Sequence, residues 1–233
     1  MYRRHLLWLL PVISTLCLIP FFEAIDLTFA GFFYDTATET FPNTIFLKLI
    51  YQLAIFPTLF LCIWAGVVFC GSFLAPQYRR YRAVAVSLLL VLILGSGIII
   101  NGVLKEHWGR PRPKQTELFG GKHTYRPVYK PDFSYKAEPR RSFPSGHSSM
   151  GFFFFIACLL SRRYGRKKRF ILSLSAVIIL GGLLSYARIA QGGHYFSDVV
   201  VSALVMWLTA LFVENLVYVQ AYKIPYIRRI IHD

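Results

Sequence analysis

Residues 83–104 read AVAVSLLLVLILGSGIIINGVL, and KEHWGRPRP, residues 105–113, follows at once. The first stretch holds no charge, and as a helix rising about 1.5 Å per residue it spans about 33 Å, enough to cross a hydrocarbon layer of ~30 Å. The second packs Lys105, Arg110, Arg112 and two prolines into nine positions. A helix that lives in lipid therefore ends in a short, strongly basic segment that cannot.

Blocks of the same apolar character recur outward from this one, at 6–22, 46–75, 148–161, 170–187 and 198–219. With 83–104 they make six expected spans in a chain of 233 residues, 55% of them hydrophobic. The expected fold is all-α, a single polytopic membrane domain over 1–233 with six transmembrane helices and both termini cytoplasmic. Arg3 and Arg4 before the first block resemble the start of a signal peptide. The run ends at Phe21-Phe22-Glu23-Ala24 without a small-x-small site, so a retained span is expected. The second block is long enough to tilt or to include an interfacial stretch. The fourth is short and relies on Phe152–Phe155 and Leu159-Leu160.

The net charge of +15 would point to nucleic acid in a soluble chain. Here the basic residues sit in short loops beside spans, where they set topology, and no nucleic-acid partner is expected. Arg3-Arg4, Arg79-Arg80-Arg82, Arg162–Arg169 and Lys223 with Arg228-Arg229 mark the cytoplasmic side. Glu23, Asp26, Asp35 and Glu39 then lie in an outer loop. Residues 105–147 also fall outside, yet carry Lys105, Arg110, Arg112, Lys114, Lys122, Arg126, Lys130, Lys136, Arg140 and Arg141. A basic outer loop opposes the topology rule, and an anionic substrate is a physical reason for it. Gly120-Gly121 and the prolines at 127, 131 and 139 mark 113–143 as irregular, with room for a short interfacial element.

Three polar segments share that outer side. After Lys105–Pro113 comes Pro144-Ser145-Gly146-His147, which reads as a helix start. Pro144 suits a first turn, and the Ser145 and Gly146 amides at a positive helix end form an anion cradle. His147 beside it is placed to exchange a proton with a bound group. The third segment runs from Arg188 to His194 and Asp198. His and Asp four apart meet on a helix face, and a carboxylate on one ring nitrogen makes the other a better nucleophile. Gly192-Gly193 leaves room for a substrate. Arg188 offers a fork for phosphate oxygens, and Lys105 and Arg112 add two charges to the same anion.

The pattern Lys105-x6-Arg112-Pro113, Pro144-Ser-Gly-His147 and Arg188-x5-His194-x3-Asp198 resembles the signature of the type-2 phosphatidic acid phosphatase superfamily, which includes lipid phosphate phosphatases, bacterial acid phosphatases and vanadium haloperoxidases. The motifs cover 105–198, and the six-span layout extends the likeness across the chain. One position departs from the pattern: Ala187 stands where the family usually has Ser, and Ser185 does not stand in for it. The resemblance implies a lipid phosphate phosphatase that needs neither metal nor cofactor. His194 would be its nucleophile, oriented by Asp198. His147 would protonate the departing alkoxide and then activate water. Lys105, Arg112, Arg188 and the Ser145 and Gly146 amides would hold the phosphoryl oxygens. The expected setting is the periplasmic face of a bacterial inner membrane, with the bilayer and a phosphorylated lipid as partners. Lipid A, undecaprenyl pyrophosphate, phosphatidate and phosphatidylglycerol phosphate are the candidate substrates, and the long basic loop favours the bulky headgroup of lipid A. Transfer of the phosphate to another lipid is an alternative reaction. A non-catalytic anion receptor or transporter is a remoter one, which leaves the His194–Asp198 spacing unexplained.

Other polar residues have blander readings. Cys17, Cys62, Cys70 and Cys158 lie in apolar blocks without metal or disulfide spacing. His107 and His123 read as solvated loop residues. Trp108 with Arg110 reads equally as a headgroup contact or as part of an aromatic belt. Glu214 and Asn215 face the inner interface or a neighbouring helix. Arg162–Arg169 is a topology signal first and a site for anionic inner-leaflet lipid second.

Overall fold

Apolar segments in hydrocarbon must satisfy their own backbone, which leaves helices for this chain. The computed structural model describes residues 2–134, 140–224 and 228; Lys136, Pro139, Arg229 and the side chains of Arg3 and Arg4 lie outside what it describes. Among the described residues every regular element is helical. Helix α1 (Tyr2–Leu18) passes through a 3₁₀ turn, Ile19–Phe21, into α2 (Phe22–Phe33). After a loop come α3 (Ile45–Leu53), α4 (Phe56–Leu74), the short α5 (Pro76–Arg79) and α6 (Arg82–Val91), which widens into π turns over Leu92–Leu104 before α7 (Lys105–His107). The second half holds α8 (Gly146–Phe152), α9 (Phe155–Arg163), α10 (Lys167–Ala176), π turns Val177–Gly181, α11 (Gly182–Ala190) and α12 (Phe196–Asn215).

Among the described residues five stretches are long and apolar enough to cross a membrane: His5–Phe33, Ile45–Leu74, Arg82–His107, Lys167–Ala190 and Phe196–Gln220. The segment expected as a fourth span is instead two short helices, α8 and α9, meeting at Phe153-Phe154. The first block runs eleven residues past its expected end at 22. Pro20 restarts the helix rather than ending it, because a proline in a first turn has no N–H to satisfy. Glu23 and Asp26 therefore lie in α2 and not in an outer loop, a correction whose electrostatic cause appears below. Among its described residues the expected loop 113–143 contributes two 3₁₀ turns, Pro113–Gln115 and Glu117–Phe119.

Helix α12 is the axis of the bundle and packs on α1, α2, α6, α8, α9 and the π turns after α6. Its Met206, Ala210 and Val213 are fully buried among Val91, Ile100, Phe153 and Ile156. Phe32, Leu74, Ile45 and Phe60 point outward, as expected where the solvent is lipid. Lipid gives no hydrophobic drive to helix pairing, so close approach of small residues matters more. Gly151 in α8 meets the Gly181 backbone so closely that a Cβ at 151 would overlap it. At one end of the bundle Arg82 donates from Nε to the Ser72 hydroxyl at 2.7 Å, and Arg163 donates from Nε to Glu214 at 2.6 Å. Glu214 thus answers a neighbouring helix end. The opposite end gathers the starts of α8 and α12 with the ends of α7 and α11.

Gly151→Leu should separate α8 from the 177–181 turns, destabilising the fold by about 1–3 kcal/mol. Gly182→Ala, into open space, should leave stability unchanged. Thermal unfolding in detergent compares them, and equal midpoints for the two would refute the Gly151–Gly181 contact.

Candidate active site

His194 follows a turn that only glycine makes easily. Gly192 has φ +59°, and a Cβ there would strike the Phe41 ring, while one at Gly193 would strike the Arg188 guanidinium. The expected room for a substrate at Gly192-Gly193 is therefore filled by two groups of the protein itself. The turn leads His194 inward to 1% exposure. Its Nδ1 lies 2.5 Å from the Ser142 carbonyl oxygen and 3.7 Å from Asp198 Oδ2. A carbonyl can only accept, so Nδ1 carries the proton and Nε2 keeps its lone pair.

The Ser142 carbonyl therefore takes the nearest place on Nδ1, with the Asp198 carboxylate beside it in ion-pair range. Oδ2 of Asp198 also accepts from the Ser142 hydroxyl at 2.6 Å and from the Tyr195 amide at 2.9 Å. The second of these caps the start of α12. Its Oδ1 accepts from Arg110 Nη1 at 2.5 Å.

Arg110 is the residue that sequence reading placed at the surface and that the fold buries, at 1% exposure. Its Nη2 donates to Asp26 at 2.7 Å, Nη1 also reaches the Ser197 hydroxyl at 2.8 Å, and Nε donates to the Arg126 carbonyl at 2.9 Å. Asp26 in turn accepts from the Ser197 amide and hydroxyl, at 2.8 and 2.6 Å. Burial opposes the guanidinium charge, yet Asp198 and Asp26 outweigh it and hold Arg110 above its ordinary value. Trp108, two residues earlier, is half-buried: its indole donates to the Val128 carbonyl at 2.9 Å and its ring lies 4.5 Å from that of Phe143.

Lys105, Arg112 and Arg188 do converge. Among the described residues none of the three pairs with a carboxylate. Lys105 donates to Asn101 Oδ1 at 3.2 Å and sits against Gly146, where a Cβ would strike its ammonium. Arg188 donates to Gln191 at 3.1 Å and lies 5.1 Å from the centre of the Tyr51 ring. Arg112 and Arg188 each keep a buried Nε without a hydrogen-bond partner. Burial lowers the pKa of Arg112, and burial with the nearby Arg112 and Arg188 lowers that of Lys114. Gathered cations with open donors form an anion site.

His147 stands in the first turn of α8, its ring stacked on Tyr51 at 4.1 Å and within electrostatic reach of Arg188, Lys105 and Arg112. Ser145 is the N-cap, so Pro144 precedes the cap instead of opening the helix. The Ser145 amide is already used, donating to the Asp198 carbonyl at 3.3 Å, and its hydroxyl bonds Ser148 at 2.7 Å. The amides with no intrahelical acceptor are those of Gly146 and His147, which shifts the expected cradle by one residue. Several charges of the basic loop serve structure: Arg126 and Arg140 pair with Asp132 at 3.1 and 3.4 Å, and Arg141 with Glu106 at 2.5 Å. Tyr51, Asn101, Arg110 and Asp26 were missed in the sequence; only the Arg-Pro-Arg alternation at 110–112 hinted that the two arginines face different ways.

The family profile described as PAP2 superfamily matches residues 85–222. A protein of Francisella tularensis subsp. novicida (strain U112) named lipid A 4'-phosphatase is 33% identical over 200 residues, covering 84% of this chain and 88% of that protein. One of the same name from Rhizobium leguminosarum is 34% identical over 190 residues, covering 78% and 72%. No solved structure matches the chain.

Arg110→Met leaves two buried carboxylates without their cation, which should destabilise by about 3–5 kcal/mol. Unfolding in detergent measures it, and a midpoint equal to that of the unsubstituted protein would refute the role. A second expectation concerns pH. Burial is the main cause holding His194 down to about 4, with Arg188 and Lys105 adding to it and Asp198 opposing. The unfolded imidazole titrates near 6.5, so between that value and about 4 the unfolded chain binds the extra proton and stability falls as pH falls. The neutral ring persists through the same window, so the acid limb of kcat/KM attributable to His194 should lie nearer 4 than 6.5. A pH profile with its sole acid inflection at 6.5 or above would contradict this.

Proposed function

The chain belongs to the PAP2 superfamily and is a lipid phosphatase, and from that premise we propose that it removes the 4'-phosphate of lipid A at the periplasmic face of a bacterial inner membrane. The observation that carries the reading is a buried histidine with its Nε2 unprotonated, beside three cations that among the described residues pair with no carboxylate. The relatives' name supports lipid A as the substrate. In the proposed topology α8 and α9 together make a sixth crossing, both termini are cytoplasmic, and the single domain spans 1–233.

The chemistry is phosphoryl transfer in two displacements. Nε2 of His194 attacks phosphorus, the bond from phosphorus to the sugar oxygen breaks, and His147 gives that oxygen its proton. Water, losing a proton to His147, then attacks the phosphohistidine. The P–N bond breaks, phosphate leaves, and both histidines regain their starting state. Lys105, Arg112, Arg188 and the Gly146 and His147 amides hold the oxygens where charge builds, supplying the stabilisation a metal supplies in other phosphatases. Asp198 works through Ser142 and the Tyr195 amide to keep the His194 ring in its tautomer.

His194→Ala, purified and folded, should lose essentially all phosphate release from lipid A, with the loss in kcat and not in KM. Measuring free phosphate from lipid A, phosphatidate and a short soluble ester in one detergent tests substrate and nucleophile together. Substantial turnover by the variant sinks the nucleophile, and preference for the soluble ester sinks the lipid reading.

A further inference from the structure

A cavity of about 680 Å³ opens beside the phosphate cluster and shares Arg188 and Tyr51 with it. We propose that this cavity holds the sugar of a phosphosaccharide headgroup together with a second anionic substituent, with Lys48 and Lys114 as its recognition residues. The inference rests on the phosphatase reading above and deepens it.

Three observations carry it. The first is charge. Lys48 on α3 and Lys114 after the Arg112-Pro113 turn line the cavity from two unconnected parts of the chain, and Arg188 contributes from a third. Among the described residues neither lysine forms an ion pair, and the sole carboxylate in the lining is Glu39. Two open ammonium groups beyond the three that meet the reacting phosphate exceed what one phosphate needs. The second is chemistry of the walls. Asn43, Gln52 and Gln191 offer amides that both donate and accept, and Phe41 and Phe119 supply aromatic wall. Alternating amides and aromatic faces match the hydroxyls and C–H faces of a sugar ring. Glu39 on the rim holds a left-handed backbone at φ 53°, a conformation that non-glycine residues adopt reluctantly.

The third is size and place. A glycerol phosphate would leave most of the volume as water, whereas a saccharide carrying a further charge can fill it and meet the two lysines in its lining. Tyr51 stacks on His147 and lies over by Arg188, so a ring seated against it puts its ester oxygen beside the proton donor. The lipid tails need not enter, since the cavity opens at the helix ends.

Lys48 and Lys114 are both exposed, so substituting them does not disturb packing. The test compares wild type with Lys48→Gln/Lys114→Gln on two lipids: lipid A bearing both phosphates, and lipid A bearing the scissile 4'-phosphate alone. The wild type should favour the doubly phosphorylated lipid in kcat/KM by about tenfold, mainly through KM, and the double variant should lose that preference. A wild type without preference, or a variant that keeps it, overturns the inference while leaving the phosphatase reading intact. Wild type that releases phosphate from phosphatidate and from neither form of lipid A overturns the lipid A reading, and this inference falls with it.

Discussion

Arg110 brings one positive charge into the interior and spends it on two carboxylates that the sequence holds far apart. Asp26 lies 84 residues earlier and Asp198 lies 88 later, and both are fully buried. Burial works against ionisation of both carboxylates, and Arg110 is the cation that opposes it. Their mutual dependence ties α2 to the start of α12, and through Asp198 it reaches Ser142, the Tyr195 amide and the ring of His194. His194, the nucleophile of the proposed reaction, is held by a network that joins three distant parts of the chain, so its alignment depends on Arg110, a side chain 1% exposed.

The same network explains how the remaining charges stay available. Asp198 has both oxygens engaged, and Asp26 is enclosed by Arg110 and Ser197. Among the described residues neither forms an ion pair with Lys105, Arg112 or Arg188. Those cations repel one another, and two keep buried Nε donors without acceptors, a condition that works against stability. Under the proposed function an arriving phosphate would relieve both the repulsion and the missing bonds. Strain that binding removes gives affinity for the anion without any movement of the scaffold, and positioned charge is what phosphoryl transfer needs most.

What could be read from the sequence was what is local in it. Lys105, Arg112, His147, Arg188 and His194 lie in short motifs at the ends of apolar blocks, and the fold brings them to one end. The helical membrane architecture followed from block length alone. Contacts between distant segments were not legible. Asp26 read as an outer-loop acid because the first apolar block was ended at residue 22, whereas the helix runs on to Phe33. Tyr51 read as one more aromatic in an apolar block, and the Ser142 carbonyl leaves no trace in a side-chain pattern. The His194–Asp198 spacing did predict proximity, but not that a backbone oxygen would take the nitrogen first. The break at Phe153-Phe154 was hidden because phenylalanines suit a helix as well as a turn.

The position of the site at helix ends has a consequence for the kind of substrate it can serve. Backbone amides are free only in a helix's first turn, so the Gly146 and His147 donors exist at that depth and no deeper. Buried cations without partners are tolerable only where a polar ligand and its water can reach them; further into the bundle the outward faces are phenylalanine, leucine and isoleucine. A soluble phosphate ester could meet the first condition in any globular scaffold. A molecule whose charged group sits at the interface while its chains remain in hydrocarbon is already held at the right height by the bilayer. The membrane thus removes part of the search in position and orientation before the protein makes a contact, and the protein's own groups are left to select the headgroup.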